Sequence, residues 1–385
     1  MRRWMFFGLW ILSLAAITFY GGAVSYGFFF GVSLLPLVCL GYIACVYCRF
    51  KIYQEIGSRT MVCGRPESYL FILKNEDFFA YASVSIRLFS DFSYVEDLPG
   101  DTEYELLPGD RFSFETRILC RCRGEYEVGV KEVVVTDFLG LFRVCYPNPG
   151  TVKALVSPRV ISLGELKSLE EFQAVLQREA SGGQDPDVVV RDYVPGDPMK
   201  QVHWKAAARE GKLKVRTRMG EEKQGIFLFC DMTRHSGDRN VYLPLENKML
   251  EVLLALGFFL AGKEMAFSVC YGQGGLQRRQ VRGMREFDAF YQEVDRVVFD
   301  PGEDCLGTLE QMLWGGVFRD GRIGLFIFHE LNERIMELSG RLAEEGLLAV
   351  LYAVTDRSQE VYIRQGDGRR KVVQVPLDGV LEGVL

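Results

Sequence analysis

The residues of this chain that are best suited to metal or acid–base chemistry directly follow three apolar runs in its C-terminal half. They are Asp231, Thr233, His235, His329, Glu330 and Asp356. If the three runs are neighbouring parallel strands, the carboxyl ends of those strands bring the side chains to one edge of a sheet. Two imidazoles with carboxylates suit Zn²⁺, Mn²⁺ or Fe²⁺ better than Mg²⁺. Polar residues at strand ends also serve simply to cap the next helix, and we expect a metal-free cluster here.

A basic segment in the middle of the chain, residues 191–218, is the second candidate site. It holds eight Lys or Arg against three Asp or Glu, a balance of +5 in a chain whose formal charge is −6. Asp197 can cap a helix at its N-terminus and Gly211 can end it, which predicts a helix from Pro198 to about Glu210. Basic and other residues alternate after it, so a strand there would turn its basic residues to one side.

Two interpretations of this segment remain open. The first is a face that binds an acidic protein surface or anionic lipid headgroups, and its residues are Lys205, Lys212, Lys214, Arg216 and Arg218. The second is architectural, with Trp204 filling a junction beside Arg–carboxylate pairs. Those pairs would join Asp192 or Asp197 to Arg191 or Arg209. Nucleic acid is a poor third partner, because the rest of the chain carries −11 and contains no recognised binding motif.

Two membrane-spanning helices are predicted at the N-terminus. From Trp4 to Cys48 there are 45 residues without a single Asp, Glu, Lys or Arg. A bilayer core of about 30 Å needs roughly 20 apolar residues per helix, so this run is long enough for two. Gly21 and Gly22 begin the turn between them, and we place the helices at Trp4–Tyr20 and Gly27–Tyr47.

The orientation of this hairpin follows from the basic residues on its flanks. Arg2 and Arg3 precede it, Arg49 and Lys51 follow it, and the turn is uncharged. The positive-inside rule then places both the N-terminus and the C-terminal domains in the cytoplasm, in a two-pass cell-membrane protein. A cleaved signal peptide is the alternative for the first run, although the second would still act as an anchor. The ten cysteines show no disulfide-framework spacing, which fits the cytoplasm.

The spacing of apolar residues changes once along the chain that follows the hairpin. Short alternating runs between Pro-Gly turns are typical of an antiparallel β-sandwich, whereas continuous apolar runs that alternate with helices imply a parallel, doubly wound α/β sheet. We therefore divide the chain into a transmembrane helical hairpin (1–52), a β-sandwich-like domain (59–150), a linker region with the basic helix and strand (151–224) and an α/β domain (225–385).

The basic segment resembles the signature of the domain of unknown function 58 family. The resemblance lies in Tyr193-Val-Pro-Gly-Asp197, in Val202-His-Trp204-Lys205 and in Ala207-Ala-Arg209 followed by Gly211-Lys-Leu-Lys-Val215. Asp137-Phe-Leu-Gly-Leu-Phe142 is similar to another element of that family. The signature residues are Arg191, Tyr193, Gly196, Asp197, His203, Trp204, Lys205 and Arg209. Hairpin, β-region and α/β region occur in the family's order, so the resemblance covers nearly the whole chain.

This resemblance implies a von Willebrand factor A-like fold for the α/β domain. It also implies a MoxR-type AAA+ ATPase and a transglutaminase-like membrane protein as partners, but it supplies no activity. The chain departs from the family at His203, where Asp is common. A von Willebrand-type metal site has Asp-x-Ser-x-Ser after its first strand. Asp231 and Thr233 fit its first two ligand positions and leave a hard-ion site open, but His235 occupies the third and Arg234 opposes a cation.

We therefore predict a non-enzymatic adaptor or scaffold that is anchored in the membrane and faces the cytoplasm. It would dock a protein partner, a MoxR-type AAA+ ATPase, in cell-envelope related assembly. The alternative is a metal-dependent hydrolase or other metalloenzyme that uses the strand-end cluster. We expect no small-molecule substrate and no cofactor other than a divalent metal at a degenerate metal-ion-dependent adhesion-type site. The chain has three histidines, and none lies in a recognised catalytic spacing.

Overall fold

The chain divides into two units, each with its own core. In this computed structural model the described residues are 2–98, 101–167, 169–170, 188–192, 212, 214–218, 225–272, 276–302, 304–318, 321–366 and 368–385. The units are Met1–Arg159 and Val160–Leu385. The predicted helix from Pro198 to Glu210 lies outside the described residues. So do the signature residues Tyr193, Gly196, Asp197, His203, Trp204, Lys205 and Arg209.

Two apolar helices begin the first unit, as predicted. Helix α1 spans Arg2–Tyr20 and helix α2 spans Ala23–Arg49, and both are long and apolar enough to cross a membrane. The turn between them is made by Gly21 and Gly22, whose φ angles of 52° and 107° suit glycine because it lacks a Cβ. The indole Nε1 of Trp10 donates a hydrogen bond to Ser33 Oγ at 3.1 Å, which ties the helices together.

Helix α2 does not end at the surface of the folded part. Ile43, Val46 and Phe50 are buried in the same hydrophobic cluster as the strands that follow. Phe50 adopts extended backbone geometry, and the first strand begins directly after it at Lys51. The last two turns of the helix are therefore part of the core of the first unit.

The remainder of the first unit consists of strands, which confirms the predicted change to β-structure. They are β1 Lys51–Ile56, β2 Thr60–Val62, β3 Pro66–Lys74, β4 Tyr81–Leu88, β5 Ser93–Val95, β6 Asp101–Leu106, β7 Arg111–Cys120, β8 Gly124–Val128, β9 Val130–Thr136, β10 Arg143–Pro147 and β11 Val152–Ser157. Their sheet orders are β1-β3-β7-β5, β10-β9-β4-β6 and β2-β11-β8. All pairs are antiparallel except β2 with β11.

The second unit contains one large sheet and a short two-stranded one. The small sheet pairs β12 Val188–Asp192 with β13 Lys214–Arg218, antiparallel. The large sheet has the order β16-β15-β14-β17-β18-β19. Its strands are β14 Gly225–Cys230, β15 Phe267–Gly272, β16 Leu276–Val281, β17 Gly321–Phe328, β18 Leu348–Val354 and β19 Arg370–Val375. Neighbours are parallel except for the edge strand β16.

Helices lie between these strands along the chain. They are α3 Arg239–Gly262, α4 Met284–Val294, α5 Cys305–Trp314, α6 Glu333–Glu344 and α7 Glu360–Ile363, and a 3-10 turn, Leu381–Gly383, follows the last strand. Strands β15 and β18 are buried at every position, which explains why their sequences are apolar without alternation. Strands β15 and β16 lie on one side of β14, and β17, β18 and β19 lie on the other. The direction in which successive strands are added therefore reverses at β14.

Candidate functional site at the strand ends

The strand-end cluster is positioned by the pairing of β14 with β17. The two strands are parallel, with Cys230 opposite Ile327, so both chains leave the sheet at the same edge. The backbone N–H of Asp231 donates to the carbonyl of Ile327 at 2.9 Å, which continues the pairing by one residue. Ligands of such sheets bind where the strand order reverses, beyond the carboxyl ends. The cluster occupies that position.

Asp231 is buried and engaged by groups of its own loop. Its Oδ1 accepts the Thr233 backbone N–H at 2.9 Å, and its Oδ2 lies 3.3 Å from His235 Nε2. Burial alone would raise the pKa of this carboxyl, but the hydrogen bonds from His235 and Thr233 hold the pKa below its ordinary value. Asp231 is therefore ionised at neutral pH, and its charge is satisfied within the loop.

The two histidines of the cluster lie side by side. The ring centroids of His235 and His329 are 4.7 Å apart, with an angle of 32° between the planes. Burial and the neighbouring His235 lower the pKa of His329, while Glu330 and Asp231 partly offset that effect. His329 is therefore mainly neutral at pH 7, which removes repulsion between the rings.

The two remaining predicted residues are engaged elsewhere. Glu330 pairs with Arg357, whose Nη1 lies 3.0 Å from Oε1 and 3.4 Å from Oε2. Asp356 Oδ1 accepts the backbone N–H of Leu377 at 2.9 Å and so fixes the segment that follows β19. The structure thus gathers Asp231, Thr233 and His235 with His329, while Asp356 serves a turn.

Arg234 does not act as the sequence suggests. Its Nε and Nη2 donate to the two carboxylate oxygens of Glu246 at 2.7 and 3.2 Å, and its guanidinium lies 4.1 Å from the Tyr242 ring centroid. Because the charge is neutralised on α3, Arg234 is not the group that opposes a cation. Sequence reasoning missed Glu246, although an acidic residue within the apolar run of α3 was a usable signal.

Cys305 is another neighbour that the sequence did not single out. Its Sγ accepts the Met232 backbone N–H at 3.2 Å, at the first residue of α5. Burial and Asp231 raise the pKa of this thiol to about 12. A thiol that stays protonated at neutral pH is a poor nucleophile and a poor metal ligand.

These groups do not fit the hard-cation site of a von Willebrand-type domain. At its third ligand position such a site needs a hydroxyl, whereas here His235 directs an imidazole at the Asp231 carboxylate. Both oxygens of that carboxylate already have partners. Across the parts of the chain that the structure describes, no three His, Cys, Asp or Glu side chains are arranged to hold a metal ion.

Only part of the predicted basic face falls within the described residues. Lys212 is exposed, and residues 214–218 form β13 as the alternation predicts. Lys214 lies opposite Asp192, Arg216 opposite Val190 and Arg218 opposite Val188. These three are alternate positions along the backbone of β13, as the sequence pattern predicts.

Comparison with known proteins adds little about the fold. The CARDB domain of a Pyrococcus furiosus protein is 15% identical, covering 28% of this chain and 93% of that one, with a TM-score of 0.19. Trypsin-activated alpha-2-macroglobulin from Escherichia coli is 14% identical, covering 39% of this chain and 9% of that one, with a TM-score of 0.23. TM-scores this low say nothing about the architecture. No curated protein matches the sequence.

The family model is informative, because it matches residues 189–272. That range begins in β12, includes the whole basic segment and Asp231, and ends with β15. It is described as "Protein of unknown function DUF58", and no enzymatic activity comes with that description. The signature, strand β14 and the first part of the strand-end cluster, Asp231 to His235, thus lie in one segment, and over these residues the chain is similar to the DUF58 family.

Proposed function

We propose that this protein is a membrane-anchored docking protein that faces the cytoplasm and binds a protein partner without transforming a substrate. The observation that carries the proposal is the continuity of α2 with the core of the first unit. Ile43 and Val46 belong to both, and Phe50, directly after the helix, belongs to the core. A helix that crosses the bilayer and then packs into a domain holds that domain at the membrane surface, which suits a scaffold.

The strand-end cluster supports a binding role over catalysis. Asp231 is engaged by Thr233 and His235, and Glu330 by Arg357. A general base needs a free acceptor within reach of a substrate proton. Both oxygens of Asp231 already have partners in their own loop, and the Glu330 carboxylate lies beside the Arg357 guanidinium, although its Oε1 accepts no hydrogen bond. The cluster therefore supports an architectural role, in which it ties the ends of β14 and β17 together and shapes an edge for a partner.

The same proposal includes the finer fold. A central parallel sheet with the order β16-β15-β14-β17-β18-β19 and an antiparallel edge strand supports a doubly wound, von Willebrand factor A-like second unit. Several small antiparallel sheets around one core support a sandwich-like first unit. The cytoplasmic orientation is supported by Arg2, Arg3, Arg49 and Lys51 on the flanks of the hairpin.

The partner we propose is a MoxR-type AAA+ ATPase, in the same assembly as a transglutaminase-like membrane protein. The choice of partner comes from the family resemblance, and the basic face supplies the chemistry. Lys214, Arg216 and Arg218 occupy alternate positions of β13, which would form a basic row, and Lys212 is exposed. Such a row would speed association with an acidic protein surface and make it sensitive to salt.

The test is capture of a purified MoxR-type AAA+ ATPase by the full-length chain in detergent. We expect capture that weakens as salt rises and is lost in Lys214→Glu/Arg216→Glu. Lys263→Glu/Arg285→Glu, with the same charge change elsewhere in the second unit, is the matched control and should retain it. If the first variant loses thermal stability as well as capture, Lys214 and Arg216 instead serve to hold the fold together.

Metal analysis separates this account from the metalloenzyme alternative. The full-length chain, purified without chelator, should contain only background metal. Near-stoichiometric metal, together with a turnover that disappears in Asp231→Asn, would refute docking as the primary function.

A further inference from the structure

We infer that the first unit makes a second contact with the membrane, in addition to its helices. An apolar rim enters the bilayer interface, and a row of basic residues beneath it binds the headgroups of anionic lipids. This inference rests on the proposed crossing of the membrane by α2. It concerns the surface of the first unit that surrounds the end of that helix.

The position of the bilayer edge follows from the length of α2. The stretch from Ala23 to Tyr42 contains 20 residues, which at 1.5 Å per residue spans about 30 Å, the thickness of a hydrocarbon core. The residues beyond Tyr42 include Ile43 and Val46, which are buried in the protein core. Lipid must therefore give way to protein close to Tyr42.

Tyr42 fixes two loops at that depth. Its hydroxyl donates to the carbonyl of Ala80 at 3.0 Å and accepts the N–H of Ala82 at 2.8 Å. Its ring centroid lies 5.9 Å from that of Phe79 and 5.5 Å from that of Phe138. The loop between β3 and β4 and the turn between β9 and β10 are thus held beside the helix where the hydrocarbon ends.

A third turn joins them. Asn75 donates its backbone N–H to Asp110 and accepts the N–H of Gly109, at 2.9 and 3.0 Å, which ties the β6–β7 turn to the β3–β4 loop. We call residues 75–80, 107–110 and 137–142 the membrane-side rim.

The rim exposes large apolar side chains. Phe78 is 86% exposed, Leu107 54% and Phe138 45%. The turns at the opposite ends of the strands are polar, as in Gly57-Ser58-Arg59 and Cys63-Gly64-Arg65. Exposed apolar groups that cluster beside a spanning helix are suited to the interfacial layer of a bilayer, where aromatic rings are enriched.

A basic row lies directly beneath the rim, on the sheet β1-β3-β7. Lys51 is opposite Lys74, and Lys74 is opposite Arg111. Directly opposed residues of antiparallel strands point to the same face, and like charges there repel. Glu76 pairs with Lys74 at 2.6 Å and offsets one of the three charges. Of the other rim carboxylates, Asp77 pairs with Arg49 and Asp110 accepts the Leu107 backbone N–H at 2.8 Å. The charges of Lys51 and Arg111 can therefore bind the anionic headgroups of lipids.

The charge on this face changes sign away from the membrane. Four residues along each strand from the basic row, Glu55 lies opposite Leu70 and Leu70 opposite Glu115. The face is therefore basic at the end nearest α2 and acidic midway along the strands, and two residues further along β7 Arg117 lies opposite Ser68. Lys51, Lys74 and Arg111 are the basic residues of this face that lie nearest the bilayer, where an anionic leaflet attracts them.

The basic row is close enough to the membrane to interact with its headgroups. Lys51 is nine residues past Tyr42, which is about 14 Å along a helix. The headgroup layer takes up roughly 5–7 Å of that distance. The remainder is within the reach of a lysine stem and about one Debye length, ~8 Å, at physiological salt.

The test is hydrogen–deuterium exchange of the full-length chain in lipid nanodiscs of two compositions. One is phosphatidylcholine alone and the other contains about 30% phosphatidylglycerol. We expect the rim amides to exchange about tenfold more slowly in the anionic discs. Lys51→Gln/Lys74→Gln/Arg111→Gln should abolish that difference. Arg59→Gln/Arg65→Gln/Arg121→Gln, which removes the same charge from the opposite end of the unit, should preserve it.

Amides of the buried strands β4 and β9 report whether each variant is folded. Equal rim exchange in both lipids, or equal loss of the difference in both triple variants, would overturn the lipid contact while leaving the anchoring intact. A chain that alkaline carbonate extracts from membranes would refute the anchoring itself, and the lipid contact with it.

Discussion

His235 stacks beside His329 with ring centroids 4.7 Å apart, and its Nε2 lies 3.3 Å from the Oδ2 of Asp231. The two histidines follow adjacent parallel strands, β14 and β17, so this contact joins the ends of those strands. It also engages the second oxygen of the Asp231 carboxylate, whose first oxygen accepts the Thr233 N–H.

The histidine pair should make the stability of the second unit depend on pH. The folded-state pKa of His329 lies below its ordinary value of 6.5, with burial and His235 as the causes. The unfolded chain then binds more protons, so stability is full above pH 6.5 and is lost as pH falls through the lower folded pKa. Thermal unfolding of the full-length chain in detergent should show this slope, and His329→Gln should flatten it. An unchanged slope in the variant would place the titrating group elsewhere.

Glu246 should be important for stability although it lies away from the predicted site. It is buried and forms a two-point ion pair with Arg234, whose side chain is 25% exposed. Glu246→Gln leaves that guanidinium without its counter-charge and should lower the free energy of unfolding by about 2 kcal/mol, less than for a fully buried pair. Glu337→Gln breaks the exposed pair with Arg341 and should cost under ~0.5 kcal/mol. Equal costs in denaturant titrations would contradict this explanation.

Two glycines should respond to alanine in opposite directions. A Cβ at Gly324 in β17 would lie 2.5 Å from Phe326 Cε2 and 2.8 Å from Leu347 Cδ2. Gly324→Ala should therefore destabilise the second unit by about 1–3 kcal/mol through overpacking. Gly340 lies within α6, where a Cβ meets only an Arg370 nitrogen at 3.4 Å. Gly340→Ala should stabilise by up to about 1 kcal/mol, and a Gly324→Ala variant as stable as the parent protein would show that the strand is not tightly packed there.

Tyr42 should couple the spanning helix to the first unit. Tyr42→Phe removes the hydroxyl that accepts the Ala82 N–H, so that amide should exchange about tenfold faster. Tyr47→Phe is the control, because its ring contact with Tyr146 at 4.7 Å is retained. Unaltered exchange at Ala82 in Tyr42→Phe would mean that the hydroxyl does not hold the loop.

The main elements could be predicted because their patterns are long or strongly apolar. The helical hairpin, β14, β15, β17 and β18 all follow from hydrophobic runs. The edge strands β16 and β19 were missed, since Leu276–Val281 carries two arginines and Arg370–Val375 begins with two basic residues. An edge strand is half exposed, so its sequence lacks the continuous apolar run.

The sequence predicted which residues of the candidate site lie together better than it predicted their ion pairs and hydrogen bonds. Neighbouring strand ends could be inferred, which brought Asp231, His235 and His329 together correctly. The pairing of Arg234 with Glu246 could not be inferred, because it depends on how α3 packs against the loop after β14. The hydrogen bond from Leu377 to Asp356 likewise depends on the segment after β19. The sequence pattern does not predict strand β19.

Protease protection in sealed membrane vesicles tests the central claim most directly. The account predicts that protease added to right-side-out vesicles leaves the full-length chain intact, and that inside-out vesicles allow digestion of everything beyond α2. Digestion of the folded units from the outer side of right-side-out vesicles would contradict a cytoplasm-facing docking protein.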